Sequence, residues 1–199
     1  MENFADLYSD YLISSSSYAT STGMANLLSI KHDKITRELS NGDYDSKFLW
    51  KQSKVYVKEL TQSKELITLS FDDSIEEKRY TDESELHCWH FDHTFGKSVR
   101  GVNFLTALIE VGTMRLPCAV EFVKKDLWKK DPKTGKEKRK SSVSKNELFR
   151  KMLRECNGKF RFDYVLADSW YSSNENMNCC KKELNNDFIM ALKSNRKVA

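Results

Sequence analysis

Two apolar runs that end in the same chemistry constrain this chain more than anything else in it. Residues 66–74 read Leu-Ile-Thr-Leu-Ser-Phe-Asp-Asp-Ser, and residues 162–169 read Phe-Asp-Tyr-Val-Leu-Ala-Asp-Ser. In the first run Ile67, Leu69 and Phe71 share one parity and Leu66, Thr68 and Ser70 the other, which predicts a strand with one strongly apolar face. Asp72 continues the more polar parity, whereas Asp73 would point with Phe71, so Asp72 is expected to face a site. The second run delivers Asp168 in the same manner. Two strand ends with matching acids and hydroxyls predict one shared site.

The length, 199 residues, allows one sizeable domain with a small appendage. Apolar residues make up 39%, and seven Gly and two Pro argue against a disordered or fibrous chain. A net charge of +4 says less than where the basic residues cluster. Five cysteines lack regular spacing, and Cys179 and Cys180 are adjacent, so no disulfide framework is implied and a reducing cytoplasm is expected. The N-terminus has neither a basic nor an apolar leader segment, and no stretch approaches the ~18 apolar residues of a membrane span. Neither secretion nor a membrane partner is expected.

Residues 1–62 read as a helical region. Phe4, Leu7, Tyr8, Tyr11 and Leu12 fall at helical spacing before a serine run breaks the pattern. Segments 23–28 and 33–39 follow, separated by about the length of a helix-turn-helix turn, with Lys34 and Arg37 opposite Ile35 and Leu39. A small helical bundle and a DNA-binding module both fit this pattern. A further helix should start at Ser46 with Asp45 as N-cap, turning Phe48, Leu49, Val55, Tyr56 and Leu60 inward.

Residues 63–199 then read as strand, strand, strand, helix, strand, helix, strand. Runs 99–111 and 114–123, joined by Gly112-Thr113, predict a hairpin. Residues 124–145 are the most basic stretch, an exposed loop or long hairpin in which Lys129, Lys130, Lys138, Arg139 and Lys140 offer charge to a polyanion. Ser144 and Glu147 form a capping box ahead of a buried stripe of Leu148, Phe149, Met152, Leu153 and Cys156. A second such box at Ser172 and Glu175 opens a helix to about Leu184, and 188–192 reads as a buried strand. This order, with acids closing the first and fourth strands, is the layout of an α/β ribonuclease-H-like domain with a mixed sheet flanked by helices. Adjacent strand ends can hold carboxylates that share two cations roughly 3.5–4 Å apart, and hard oxygens favour Mg²⁺ or Mn²⁺.

Three further motifs carry a family likeness. Phe71-Asp72-Asp73-Ser74-Ile75-Glu76-Glu77-Lys78, Cys88-Trp89-His90-Phe91-Asp92-His93 with Gly101-Val102-Asn103-Phe104-Leu105, and Val165-Leu166-Ala167-Asp168-Ser169-Trp170-Tyr171 resemble the DDE transposases of bacterial insertion sequences. Ala191-Leu192-Lys193-Ser194-Asn195-Arg196 is similar to the strand that follows the second aspartate in that family. The resemblance implies an integrase-like fold and metal-dependent cleavage and strand transfer at transposon ends. It carries Asp72 and Asp168 over as catalytic metal ligands, with Asp73 the alternate to Asp72. It also implies DNA contacts from the helical region and the basic stretch, with Lys193 and Arg196 at the final strand, and a homo-oligomer in the complete enzyme. The third family acid, a Glu on a helix beyond the second aspartate, has no counterpart here, because Glu175 caps its helix. A truncated catalytic domain, inactive alone, is therefore expected. A non-catalytic DNA-binding protein and a stand-alone metal-dependent nuclease are the competing readings. His87, Cys88, His90 and His93 lack a second ligand pair for zinc, so His90 or His93 is expected in the cleft or on phosphate.

Overall fold

The computed structural model describes residues 4–16, 18–132 and 134–193. They form two compact units, 1–44 and 45–199. The first holds α1 (Phe4–Ser14), α2 (Ser21–Leu27) and α3 (His32–Asn41) around buried Met24, Ala25 and Ile35, with Phe4, Leu7, Tyr8, Tyr11, Leu28 and Leu39 packed against them. Tyr11 anchors the start of α2, its hydroxyl donating to the Thr20 carbonyl and accepting from the Thr20 N–H, both at 3.1 Å. Between α2 and α3 the turn passes through Ser29 at a φ of 54°.

The second unit opens with α4 (Ser46–Leu60), capped by Asp45, whose carboxylate accepts from the Lys47 and Phe48 N–H groups. The helix lies against the sheet through buried Val57, with Trp50 and Leu60 beside it. It therefore belongs to the sheet unit, whereas the sequence placed it with the helices before residue 62. Its inward stripe also differs from the expected one: Val55 and Tyr56 are exposed, and Trp50, Ser53 and Val57 face in. Residues 50, 53 and 57 keep the three- and four-residue spacing of one helical face.

The sheet contains β1 (Ile67–Glu77), β2 (His87–Asp92), β3 (Lys97–Val111), β4 (Met114–Phe122), β7 (Tyr164–Ala167) and β8 (Asp187–Met190). Its order is β2-β3-β1-β7-β8, with β4 also on β3. β1, β3 and β4 pair antiparallel, and β7 and β8 continue parallel to β1. That is the ribonuclease-H-like arrangement. β3 is long enough to pair through residues 97–102 with β2 and through residues 104–111 with β4. Gly101 sits where strands crowd it, since a Cβ there would lie 2.2 Å from the Glu76 carbonyl oxygen. Gly112, at φ 57°, makes the turn from β3 to β4.

Between β7 and β8 the helix α6 (Asn174–Asn178) is short and passes into a π-helical turn over Cys179–Glu183. Its cap is Ser173 rather than Ser172, its hydroxyl accepting from the Asn176 N–H. The helix α5 (Lys145–Asn157) has the expected capping box and buries the expected stripe. Phe149 packs edge-on to Phe71 at 4.6 Å and stacks on Tyr171 at 5.3 Å. Each such buried side chain contributes roughly 1.5–3 kcal/mol. Two further features depart from expectation, in β2 and β8. β2 is an additional strand between the first two expected ones. The basic stretch takes the second of its two expected forms, a hairpin of β5 (Leu127–Lys130) and β6 (Glu137–Lys140). β8 is an edge strand rather than a buried one, with Ile189 62% exposed.

Candidate active site where β1 and β7 part

The parallel pairing of β1 with β7 runs from Thr68↔Tyr164 to Phe71↔Ala167. One step further along stand Asp72 and Asp168: β7 ends just before Asp168, whereas β1 does not close at Asp72, as its sequence suggests, but continues to Glu77 paired with β3 alone. Both acids line a cavity of about 670 Å³ with Asp73, Lys145, Trp170 and Lys193 among its walls. The Asp72 carboxylate accepts from the Asp73 N–H at 2.9 Å, and Asp168 accepts from the Trp170 N–H at 2.9 Å. Each acid is thus oriented by backbone where the β1–β7 pairing stops. Burial pushes the Asp72 pKa up, the neighbouring Asp73 and Asp168 carboxylates push it the same way, and Lys145 offsets part of this.

Asp73 points to the Phe71 face, as its parity predicts. There it accepts from the Tyr171 hydroxyl at 3.0 Å and forms an ion pair with Lys145. Burial and Asp73 hold the Tyr171 hydroxyl well above its usual pKa, so it remains a donor. Lys145 and Tyr171 were invisible as site residues in the sequence. Lys145 was counted with the basic stretch, although its place at the first position of α5 aims it at the strand ends. Tyr171 lay in a family-like motif without an assigned role.

The histidines divide. His93 lines the acid cavity. His90 is buried beside Cys88, with Nε2 3.4 Å from the sulfur, and burial together with Lys125 and Lys145 lowers its pKa to about 4. His87 faces the Asp82 and Lys78 carbonyls at 2.9 and 2.7 Å.

Glu175 lies elsewhere, in a surface cleft with Arg150, Arg154 and Lys182. Of the basic residues, Lys34 and Arg37 are exposed on α3, and Lys129, Lys130, Lys138 and Lys140 are exposed on the hairpin. Arg139 is half-buried, paired to Glu83 and stacked 4.4 Å over Trp128. Lys193 sits 4.4 Å over the Trp170 ring in the cavity, and Arg196 lies outside the described residues.

Asp72 and Asp168 suit a hard divalent cation, since both present carboxylate oxygens. Asp73 is already engaged by Lys145 and Tyr171. Among the described residues no group of three or more His, Cys, Asp or Glu side chains stands close enough to enclose a metal ion. The donor set fits such an ion as a partial one.

The family model for the DDE superfamily endonucleases matches residues 2–199. The chain belongs to that family. Among solved structures, this DDE-family chain is similar to the Drosophila P element transposase strand transfer complex, at 12% identity and a TM-score of 0.36, covering 96% of this chain and 41% of that one. It is also similar to the Mos1 strand transfer complex, at 10% identity and a TM-score of 0.29, covering 94% and 57% respectively. The DDE-family chain thus spans about half the length of these two transposases or less. No curated protein matches it. No helix among its described residues is long and apolar enough to cross a membrane.

Proposed function

We propose that this chain carries part of the catalytic apparatus of a DNA transposase of the insertion-sequence type, cutting DNA at element ends and joining them to a target. The observation that carries the reading is the placement of Asp72 and Asp168 just past the last pair of the parallel β1–β7 ladder, in one cavity with Lys145 and Lys193. Asp72 and Asp168 would hold Mg²⁺ or Mn²⁺, two ions in the complete site, which when bound stabilise the attacking and leaving oxygens of a phosphodiester displacement. The Asp73 and Trp170 N–H groups keep the two carboxylates aimed into the cavity. Lys193 and Lys145 bring positive charge to a DNA phosphate, and Lys145 also restrains Asp73 through their ion pair. Tyr171 holds Asp73 from the other side, which leaves Asp72 as the acid facing the substrate.

Two carboxylates leave coordination positions unfilled, so the working site takes a further carboxylate beyond those gathered here, and the chain by itself cuts poorly. DNA contact comes from Lys34 and Arg37 on α3 and from the hairpin lysines, and the working enzyme is an assembly of several copies in the cytoplasm. Mn²⁺ binding followed by calorimetry tests the site. It should be lost in Asp72→Ala and in Asp168→Ala, and retained affinity in both would remove the assignment.

The hairpin favours one alternative, DNA binding without catalysis. Lys129 and Lys138 stand directly opposite each other in its ladder, and although Asp131 pairs with Lys138, exposed Lys129, Lys130 and Lys140 leave the hairpin positive toward a polyanion. Plasmid nicking with Mn²⁺ separates these readings from that of a stand-alone nuclease, since only a nuclease would nick efficiently as this chain alone.

A further inference from the structure

β2 is built inside out. Along its pattern His87, Cys88 and His90 are buried, whereas Trp89 and Phe91 face outward at 56% and 53% exposure. A strand that hides imidazoles and shows aromatic rings to water gives up burial that the opposite register would have supplied. The outward rings are also not isolated. Phe91 stands 4.9 Å from His93, and His93 stands 5.3 Å from Trp170, in the wall of the acid cavity. Phe91 lines that cavity and equally the adjoining cleft, where Trp89, Trp128, Lys125 and Lys138 lie.

Register places this row on the same side as the catalytic acid. Directly opposed residues of an antiparallel ladder share a face, and Asp72 opposes Thr106, Trp89 opposes Arg100 and Phe91 opposes Ser98 along β3. All three β3 partners are even-numbered, so Asp72, Trp89 and Phe91 project from one face of the sheet. Cations accompany the rings: Lys193 covers Trp170, and Arg139 covers Trp128.

We propose that Trp170, His93, Phe91 and Trp89 form a stacking track for an unpaired DNA strand leading away from the Asp72–Asp168 pair. The inference rests on the transposase reading and names the form of DNA that the site takes. Exposed aromatic rings beside lysines bind bases of any sequence through their faces, while the cations follow the backbone. Alternate residues of a strand stand about 6.7 Å apart, close to twice the ~3.4 Å step of one strand in a duplex. Paired and stacked bases cannot meet Trp89 and Phe91 in succession, whereas bases of an extended single strand can. Lys125, Lys138 and Arg139 outnumber Glu83 and Glu137 in the adjoining cleft and Lys193 adds charge at Trp170, so an anionic occupant is the complementary one, and the shared wall with the acid cavity makes the track continuous with the place of cutting.

The test uses the full chain without added metal, so that nothing is cut, and fluorescence anisotropy of a labelled oligothymidylate of about 12 nucleotides and of a duplex of the same length. The doubly substituted Trp89→Ala/Phe91→Ala protein should bind the oligothymidylate about 10-fold or more weakly and the duplex within about 2-fold of the parent. Trp89→Phe, which keeps a ring, should retain most of the affinity. Trp170→Ala should weaken the single strand in the same selective way, and its thermal midpoint reports that the fold persists. Equal loss for both DNA forms, or unchanged oligothymidylate binding in the double variant, would overturn the track. Failure of the transposase reading shows separately, as Mn²⁺ binding that survives in Asp72→Ala and Asp168→Ala.

Discussion

The side of the sheet built from β1, β7 and α5 differs in kind from the part added by β2 and the β5–β6 hairpin. The first is held by buried apolar contact: Phe149 against Phe71 and Tyr171, with Leu69, Met152, Leu153 and Val165 all fully buried. The second is held by polar ties, among them Arg139 to Glu83, Ser142 to Asp126 and the Lys125 N–H to the Glu85 carbonyl. Its aromatic side chains Trp89, Phe91 and Trp128 face outward. The contrast separates a frame that fixes two acids from a surface shaped to receive something, and it makes stability and binding respond to different residues.

The sharpest way to break the comparison is to empty the frame. Phe149→Ala should cost about 3–5 kcal/mol, because the cavity lies between two rings and a sheet that cannot close over it. Urea denaturation reads the loss, and a change below about 1 kcal/mol would show that the core does not depend on this contact. Against that polar construction β2 buries His87, Cys88 and His90, and His90 gives the contrast a pH signature. Its folded pKa of about 4 lies below the ordinary value near 6.5. The unfolded chain therefore binds the extra proton between those values, and stability is full above pH 6.5 and falls as pH drops toward 4. The loss amounts to about 3 kcal/mol at most. Denaturation midpoints at pH 7 and pH 5, compared with His90→Phe, should show the slope disappear in the variant.

Smaller effects refine the picture. Tyr171→Phe removes the hydroxyl that donates to Asp73 while keeping the stacked ring, and should cost about 1.5–3 kcal/mol as a lost bond to a charged acceptor. Ser144→Ala opens the capping box of α5 and should cost about 1 kcal/mol, measured in the same way. Lys129→Ala on the hairpin should leave stability within about 0.5 kcal/mol. It should nevertheless reduce the salt dependence of duplex binding by a slope of ~0.9. A stability loss there comparable to that of Phe149→Ala would erase the distinction between frame and surface.

The frame was legible because its physics is periodic. The stripe of α5 and the alternation of β1 are written at spacings of three to four residues and of two, and the chain follows both. Asp72 and Asp168 were legible for the same reason, as interruptions at the ends of apolar runs. β2 was not, because His87, Cys88 and His90 occupy the buried positions where apolar residues are expected and the aromatics take the exposed ones. The four-residue strands of the hairpin carry no apolar alternation, being held by backbone pairing and the Gly135 turn. The edge position of β8 depends on which strands lie beside it, and an apolar run such as 188–192 does not encode that. The partnership of Lys145 with Asp73 joins residues 72 positions apart, which no local spacing reveals.

β3 carries β1 along one edge and both β2 and β4 along the other. Asp72 on β1 and the aromatic row of β2 are therefore indexed to a single backbone, with no hinge between the two pairings. The interval between Asp72 and the aromatic row is a property of ladder register, quantised in residue pairs. Side-chain exchange can change what stands at either position, whereas the spacing between them changes only when residues are inserted into or deleted from the paired strands.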